Sequence, residues 1–131
     1  MHERYNMIFK MKTSKNTMEI FEELTASTNY APFILSKLSI SLSIKSELPL
    51  KESDFKTDTN GLELNRQTIT AEWDGLYKGL IAMSEQRHIG DDEFFPRYIK
   101  AHLDRGAKML YSEFKYNNDF LLALINDKQG I

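Results

Sequence analysis

Acid–base or metal chemistry in this 131-residue sequence would have to come from few residues, and their spacing does not assemble a site. Three histidines, His2, His88 and His102, are scattered along the chain, with no His-Glu-x-x-His run or comparable ligand spacing. His102 falls on one helical face with Tyr98 and Gly106, where a packed or hydrogen-bonded histidine is the expectation. Asp91-Asp92-Glu93 has the composition of a cation cluster. Adjacent side chains diverge at a helix start, however, and acids favour that end of the helix dipole. Nothing in the spacing of Glu63 and Glu72 makes them an acid–base pair. The absence of cysteine removes thiolate ligands, a cysteine nucleophile and disulfides. There is no glycine-rich phosphate loop and no Gly-x-Ser-x-Gly turn. These residues predict a protein that binds and is not an enzyme, with no cofactor and no metal.

The composition is that of a soluble globular domain: 41% hydrophobic and 27% charged. An aromatic share of 11% leaves apolar side chains over for a subunit or partner contact. Net charge is −2, with two mildly basic ends flanking an acidic middle. Apolar runs such as Phe120-Leu121-Leu122-Ala123-Leu124-Ile125 are too short to cross a bilayer. Met1-His2-Glu3-Arg4 does not open a signal peptide, so the expected location is cytoplasmic.

The elements that must position any site read as one mainly α domain over 1–131. Residues 6–45 form a strand plus two helices, residues 61–115 a helical part and residues 117–131 an apolar tail helix. Asn6 to Lys12 alternates, with Met7, Phe9 and Met11 on one side and Ile8, Lys10 and Lys12 on the other. A single strand needs a partner; a twin strand from a second subunit is the economical choice, an edge strand within the monomer the plainer one. Thr13 or Ser14 caps the first helix, whose apolar face is Met18, Phe21, Leu24 and Thr25, and Thr28-Asn29 ends it. From Pro32 on, the alternation of Leu38 to Ile44 suits a strand. The absence of a turn residue before Pro49 favours one helix of about four turns. Its stripe is Ile34, Leu38, Ser41, Leu42 and Lys45, with small serines that let another helix approach. Residues 46–60 form a loop. Thr68 or Thr70 then caps an amphipathic helix with Trp73, Leu76, Tyr77, Leu80, Ile81 and Ser84 inward. A second helix begins at Gly90 and presents Phe95, Tyr98, Ile99, His102, Leu103, Gly106, Met109 and Leu110, giving a helical hairpin. Gly106 costs helix stability and predicts a close helix crossing.

Strand, helix, helix is the order of the ribbon-helix-helix module, whose strand side chains face DNA. The outward Lys10 and Lys12 suit phosphates better than base edges. Lys15 lies in the first turn of the first helix, and the helix start around Asn29 to Pro32 offers free amides to a phosphate. A second basic stripe, Arg97, Lys100 and Lys108, reads as ordinary surface.

The segment Gly61-Leu62-Glu63-Leu64-Asn65-Arg66-Gln67-Thr68-Ile69-Thr70-Ala71-Glu72 resembles the DndE family, the small subunit of bacterial DNA phosphorothioation (sulfur modification) systems. It matches a Gly-x-Glu-(apolar)-Asn-Arg-x-Thr-(apolar)-Thr-Gly-Glu pattern at seven positions and departs from it at Ala71. His102-Leu103-Asp104-Arg105-Gly106 resembles the family's His-(apolar)-x-Arg-Gly motif, and Asn29 to Ile44 its second helix, so the likeness spans most of residues 6–115. It implies an accessory DNA-binding protein, a homotetramer that prefers nicked double-stranded DNA. Such a protein acts beside a cysteine desulfurase, the sulfurtransferase-like DndC and the ATPase DndD. The family's characteristic residues fall on Glu63, Asn65, Arg66, His102 and Arg105; Glu63 and Arg66, three apart, also suit a buried bridge organising the loop. The candidate DNA contacts are therefore Lys10, Lys12, Lys15, Lys37, Arg66 and Arg105. Two other readings use the same residues: a ribbon-helix-helix transcriptional regulator, and a scaffold that docks another subunit through Phe120 to Ile125.

Overall fold

A computed structural model describes residues 10–116, so the strand residues before Lys10 and the apolar tail after Tyr116 lie outside the described part. Strand β1 (Lys10–Lys12) is followed by helices α1 (Lys15–Thr28) and α2 (Pro32–Lys45). A 3-10 turn (Glu52–Phe55) interrupts the long loop, and strand β2 (Glu63–Asn65) follows. Helices α3 (Arg66–Ile69), α4 (Asp74–Glu85) and α5 (Lys100–Tyr116) complete the chain. No helix among the described residues is long and apolar enough to cross a membrane.

The cap signals of α1 act as read. Ser14 accepts the Thr17 amide hydrogen at 3.1 Å, and Asn29 stops the helix in the left-handed region at φ 64°. The buried face is Thr17, Ile20, Phe21 and Leu24; Ile20, not Met18, completes it. Residues 32–45 are one helix, as expected from Pro32 at its first turn. Its buried face is not the expected stripe, however: Leu35, Ser36, Ser39, Ile40 and Ser43 turn inward, while Ile34, Ser41 and Lys45 are exposed. Apolar residues surround α2 on all sides, so the serines decide its orientation. They form the side thin enough to admit α5, and Ser36 and Ser39 satisfy their hydroxyls on the Pro32 and Leu35 carbonyls at 2.8 and 2.7 Å. Across this face Gly106 meets Ser39, where a Cβ would stand 1.7 Å from the Ser39 carbonyl oxygen. The predicted close crossing is therefore real.

A helical turn (Asp91–Glu93) and a π turn (Phe94–Ile99) lead into α5. Pro96 has no amide hydrogen to give, and the ladder widens around it. The widening brings Phe94 and Phe95, adjacent in sequence, both fully into the core.

Two further points are decided: the partner of β1, open between a second subunit and the same chain, and the start of α4. The partner of β1 comes from the same chain: β1 pairs antiparallel with β2, Lys10 opposite Asn65 and Lys12 opposite Glu63. Thr13 prolongs the pairing through its amide to the Leu62 carbonyl at 2.8 Å, and Gly61 donates to the Thr13 carbonyl at 2.9 Å. Only glycine fits at position 61, since a Cβ there would lie 2.2 Å from the Ser14 carbonyl oxygen. The second point, a correction, concerns α4. Asn65 caps the short α3 through the Gln67 amide at 2.9 Å, and neither Thr68 nor Thr70 caps α4. Of the residues expected to face inward from α4, Ile81 is buried, whereas Trp73, Leu76 and Leu80 are exposed.

Candidate nucleic-acid interface

Opposite residues of an antiparallel pair project to the same face. Met11 and Leu64 are buried beneath the ribbon, so Lys10, Lys12, Glu63 and Asn65 share its outer, solvent-facing side. Lys15 stands three residues further on, exposed in the first turn of α1, where its backbone amide donates to Asp58 at 2.8 Å. The bonds from the Asn60 amide, and then the Lys15 amide, hold the Asp58 carboxyl below its usual range. Lys37 is exposed on α2 with its ammonium 5.8 Å from the Phe33 ring.

Arg66 and Arg105 turn into the protein instead. Arg66 is buried, with Nε 2.7 Å from Asp74 and Nη2 3.0 Å from Asp91, and it stacks 5.1 Å from the centre of the Phe94 ring. Burial opposes its charge, but the bonds from the two carboxylates outweigh that opposition and raise its pKa. Arg66, and Lys78 at 2.7 Å, pull the Asp91 carboxyl down to about 2. Asp91 thus anchors Arg66 as well as opening a helix. Glu63 is exposed, and the bridge Arg66 makes runs to Asp74 and Asp91 rather than to Glu63. Arg105 closes the end of α2: it donates to Ser43 Oγ at 2.7 Å and to the Ser43, Leu48 and Pro49 carbonyls at 2.9, 2.9 and 3.2 Å.

The other motif residues also hold the scaffold. Asp104 is buried and accepts from the Ser14 amide at 3.1 Å, from the Thr17 and Thr57 hydroxyls at 2.6 and 2.7 Å, and from Lys100 at 2.6 Å. Lys100 therefore leaves the expected surface stripe, in which Arg97 and Lys108 remain exposed. The i,i+4 spacing of Lys100 and Asp104 is the one sequence signal that could have revealed this pair. Among the described residues no group of three histidine or acidic side chains is placed to hold a metal ion.

His102 shares a 2.8 Å hydrogen bond between Nδ1 and Ser43 Oγ, and its Nε2 has no partner among the described residues. Burial, and then the charge of Arg105, push its pKa down to about 4. The unfolded chain takes up this proton near pH 6.5, its ordinary value, and the folded chain only near 4. Between those values the unfolded state binds more protons, so this stability is complete above pH 6.5 and lost as pH falls to 4. We expect urea denaturation to show a loss on the order of 2–3 kcal/mol across that window. His102→Gln should abolish it; an unchanged acid slope in the variant would refute the assignment.

Comparison with known proteins agrees with this architecture. The family model described as DNA sulphur modification protein DndE matches residues 10–118. The crystal structure of DndE from Escherichia coli B7A, involved in DNA phosphorothioation modification, superposes with a TM-score of 0.60 at 21% identity. That superposition covers 78% of this chain and 96% of the other. A glycine-to-lysine mutant of DndE involved in DNA phosphorothioation gives 0.62 at 19% identity, with the same coverage. At these identities the likeness is one of fold. No curated protein matches the sequence.

Proposed function

The chain belongs to the DndE family of DNA sulphur modification proteins, and from that premise we propose that it is the non-catalytic DNA-binding accessory component of a phosphorothioation system. Its ligand in this reading is double-stranded DNA, nicked DNA preferred. It acts in the cytoplasm as a homo-oligomer, a tetramer, beside a cysteine desulfurase, DndC and DndD. The observation that carries the reading is the outer face of the ribbon, where Lys10 and Lys12 stand next to Asn65 and Glu63. Two cations and an amide on a short solvent-facing ribbon suit phosphate oxygens, which position a protein on DNA without reading its sequence. Lys15 extends the cationic run and Lys37 adds a contact on α2. Arg66 and Arg105 serve from within, Arg66 by tying the start of α3 to Asp74 and Asp91 and Arg105 by closing the end of α2.

Titrations on intact and nicked duplexes at several salt concentrations test this. We expect a steep salt dependence, little sequence preference and tighter binding at a nick. Lys10→Glu with Lys12→Glu should weaken binding equally on all sequences and flatten the log–log salt slope by about 2, near 0.9 per lost phosphate contact. Unchanged affinity would remove the ribbon from the DNA face. A strong preference for one operator sequence would favour a ribbon-helix-helix regulator, against which counts the pairing of β1 within its own chain. No binding at any salt would leave a scaffold.

A further inference from the structure

Arg97 stands outside both the ribbon and the buried networks. It lies in the π turn beside Pro96, an irregularity that recurs at functional sites. Its guanidinium is 4.0 Å from the centre of the Phe55 ring and 5.9 Å from that of Tyr98. Phe55 in turn meets the buried Tyr98 edge-on at 5.3 Å, so the platform under the arginine is itself fixed. Among the described residues Arg97 has no hydrogen bond and no carboxylate at ion-pair distance. Glu93, which feels its charge, is bound to Arg87 instead. A guanidinium can stack by its face and still offer the N–H groups of its edge, in a fork that matches a phosphate. The stack holds Arg97 in place while that fork stays unengaged.

The fork borders a cleft of about 250 Å³ between the loop 54–59 and the π turn. Phe55 and Pro96 give the cleft apolar walls, and Thr57, Thr59 and Lys100 its polar side. Lys100 has all three ammonium hydrogens engaged, on Thr57, the Asp58 carbonyl and Asp104, so it shapes the wall and donates nothing to a guest. The Thr57 hydroxyl is likewise committed to Asp104. The donors left for a guest are the Arg97 fork and the Thr59 hydroxyl, both on exposed residues. Asp54, the acid in the wall, accepts the Lys51 amide at 2.7 Å and lies 4.0 Å from Arg105, which answers its charge.

A guanidinium fork with a hydroxyl beside it selects an oxyanion, and the size of the cleft selects its kind. Sites that enclose a whole ligand measure roughly 300–1,000 Å³, so this one admits a head group and leaves the rest of the molecule outside. A duplex phosphodiester is embedded in its backbone and carries a single charge. A phosphomonoester projects, offers three acceptor oxygens and approaches two charges at neutral pH, its second pKa being about 6. We propose that the cleft between Thr59 and Arg97 is a phosphomonoester site, in which the Arg97 fork and the Thr59 hydroxyl hold the phosphate oxygens. Asp58 stands between this site and the cationic run of the ribbon: its carboxylate takes the Lys15 amide and its carbonyl the Lys100 ammonium. A DNA 5′-end at a nick and a free nucleotide share the chemistry, and the first source rests on the DNA-binding reading above.

Two nicked duplexes that differ only in a 5′-phosphate or a 5′-hydroxyl at the nick, together with adenosine monophosphate alone, separate the sources. The full chain should bind the phosphorylated nick roughly 10-fold more tightly, the scale of one charge-assisted bond. Arg97→Ala should erase that ratio with far-UV circular dichroism unchanged. Arg97→Lys, charged but without the fork, should recover only part of it. Lys10→Glu with Lys12→Glu should weaken binding to both duplexes and leave the ratio intact. Adenosine monophosphate should shift the Arg97 Nε–H resonance in NMR spectra of the nitrogen-labelled protein. Equal affinity for the two nicks together with that shift assigns the site to a free nucleotide. Equal affinity without the shift overturns the site and leaves DNA binding standing, as does a ratio that persists in Arg97→Ala. No binding to either duplex overturns the DNA reading, and the nucleotide shift then decides the site alone.

Discussion

Asp104→Ala is expected to destabilise the protein by about 4–5 kcal/mol, the upper range for removing one partner of a buried ion pair. The carboxylate is almost fully buried and accepts from four groups on three separate stretches of chain. Without it the Lys100 ammonium keeps Thr57 Oγ1 and the Asp58 carbonyl, at 2.7 and 2.9 Å, but loses its counter-charge. The Ser14 amide loses its side-chain acceptor in a place water does not reach freely. Asp104→Asn keeps the shape and removes the charge, and should recover only part of the loss. Urea midpoints with an unchanged m-value measure both variants. An Asp104→Ala protein within 1 kcal/mol of wild type, on the order of a surface substitution, would show that the network contributes little.

Gly106→Ala should cost about 3 kcal/mol or more, the high end for overpacking. The added carbon would lie 1.7 Å from the Ser39 carbonyl oxygen and 2.4 Å from its carbon. Both are backbone atoms of a helix, and no side-chain rotation removes them. At roughly 4 °C per kcal/mol for a chain of this size, thermal unfolding should begin about 12 °C lower. Elsewhere in a helix the same substitution would stabilise by about 1 kcal/mol, so the sign alone tests the crossing. A variant as stable as wild type would mean that α2 and α5 can separate cheaply.

What could be read without the structure was local. Ser14, Asn29 and Pro32 announce the ends of α1 and the start of α2, because caps and ring geometry act within one turn. Gly106 announced a close crossing because a glycine inside an apolar helical face needs a reason. The orientation of α2 was not legible: leucines and isoleucines surround it, and only the shape of α5 selects the serine side. The partner of β1 lies some fifty residues away, beyond any periodic signal. Arg66 was visible as a motif residue, but its partners Asp74 and Asp91 stand at separations of 8 and 25, too far apart to touch along one helix. The spacing of Trp73, Leu76 and Leu80 reads as an inward apolar face, yet all three stand exposed. A pattern of residues states that a surface wants covering, and does not say by which molecule.

The Asp104 carboxylate also has a meaning in time. It joins Ser14 across 90 residues and Thr57 across 47, so the start of α1 and the middle loop share one anchor near the end of the domain. A chain emerging from the ribosome can form α1 and α2 early, since their turns are local. The cluster that locks them stays open until α5 has been made, and its closure bears the cost of the longest loops in the fold. The start of α1 is thus made well before the anchor that secures it.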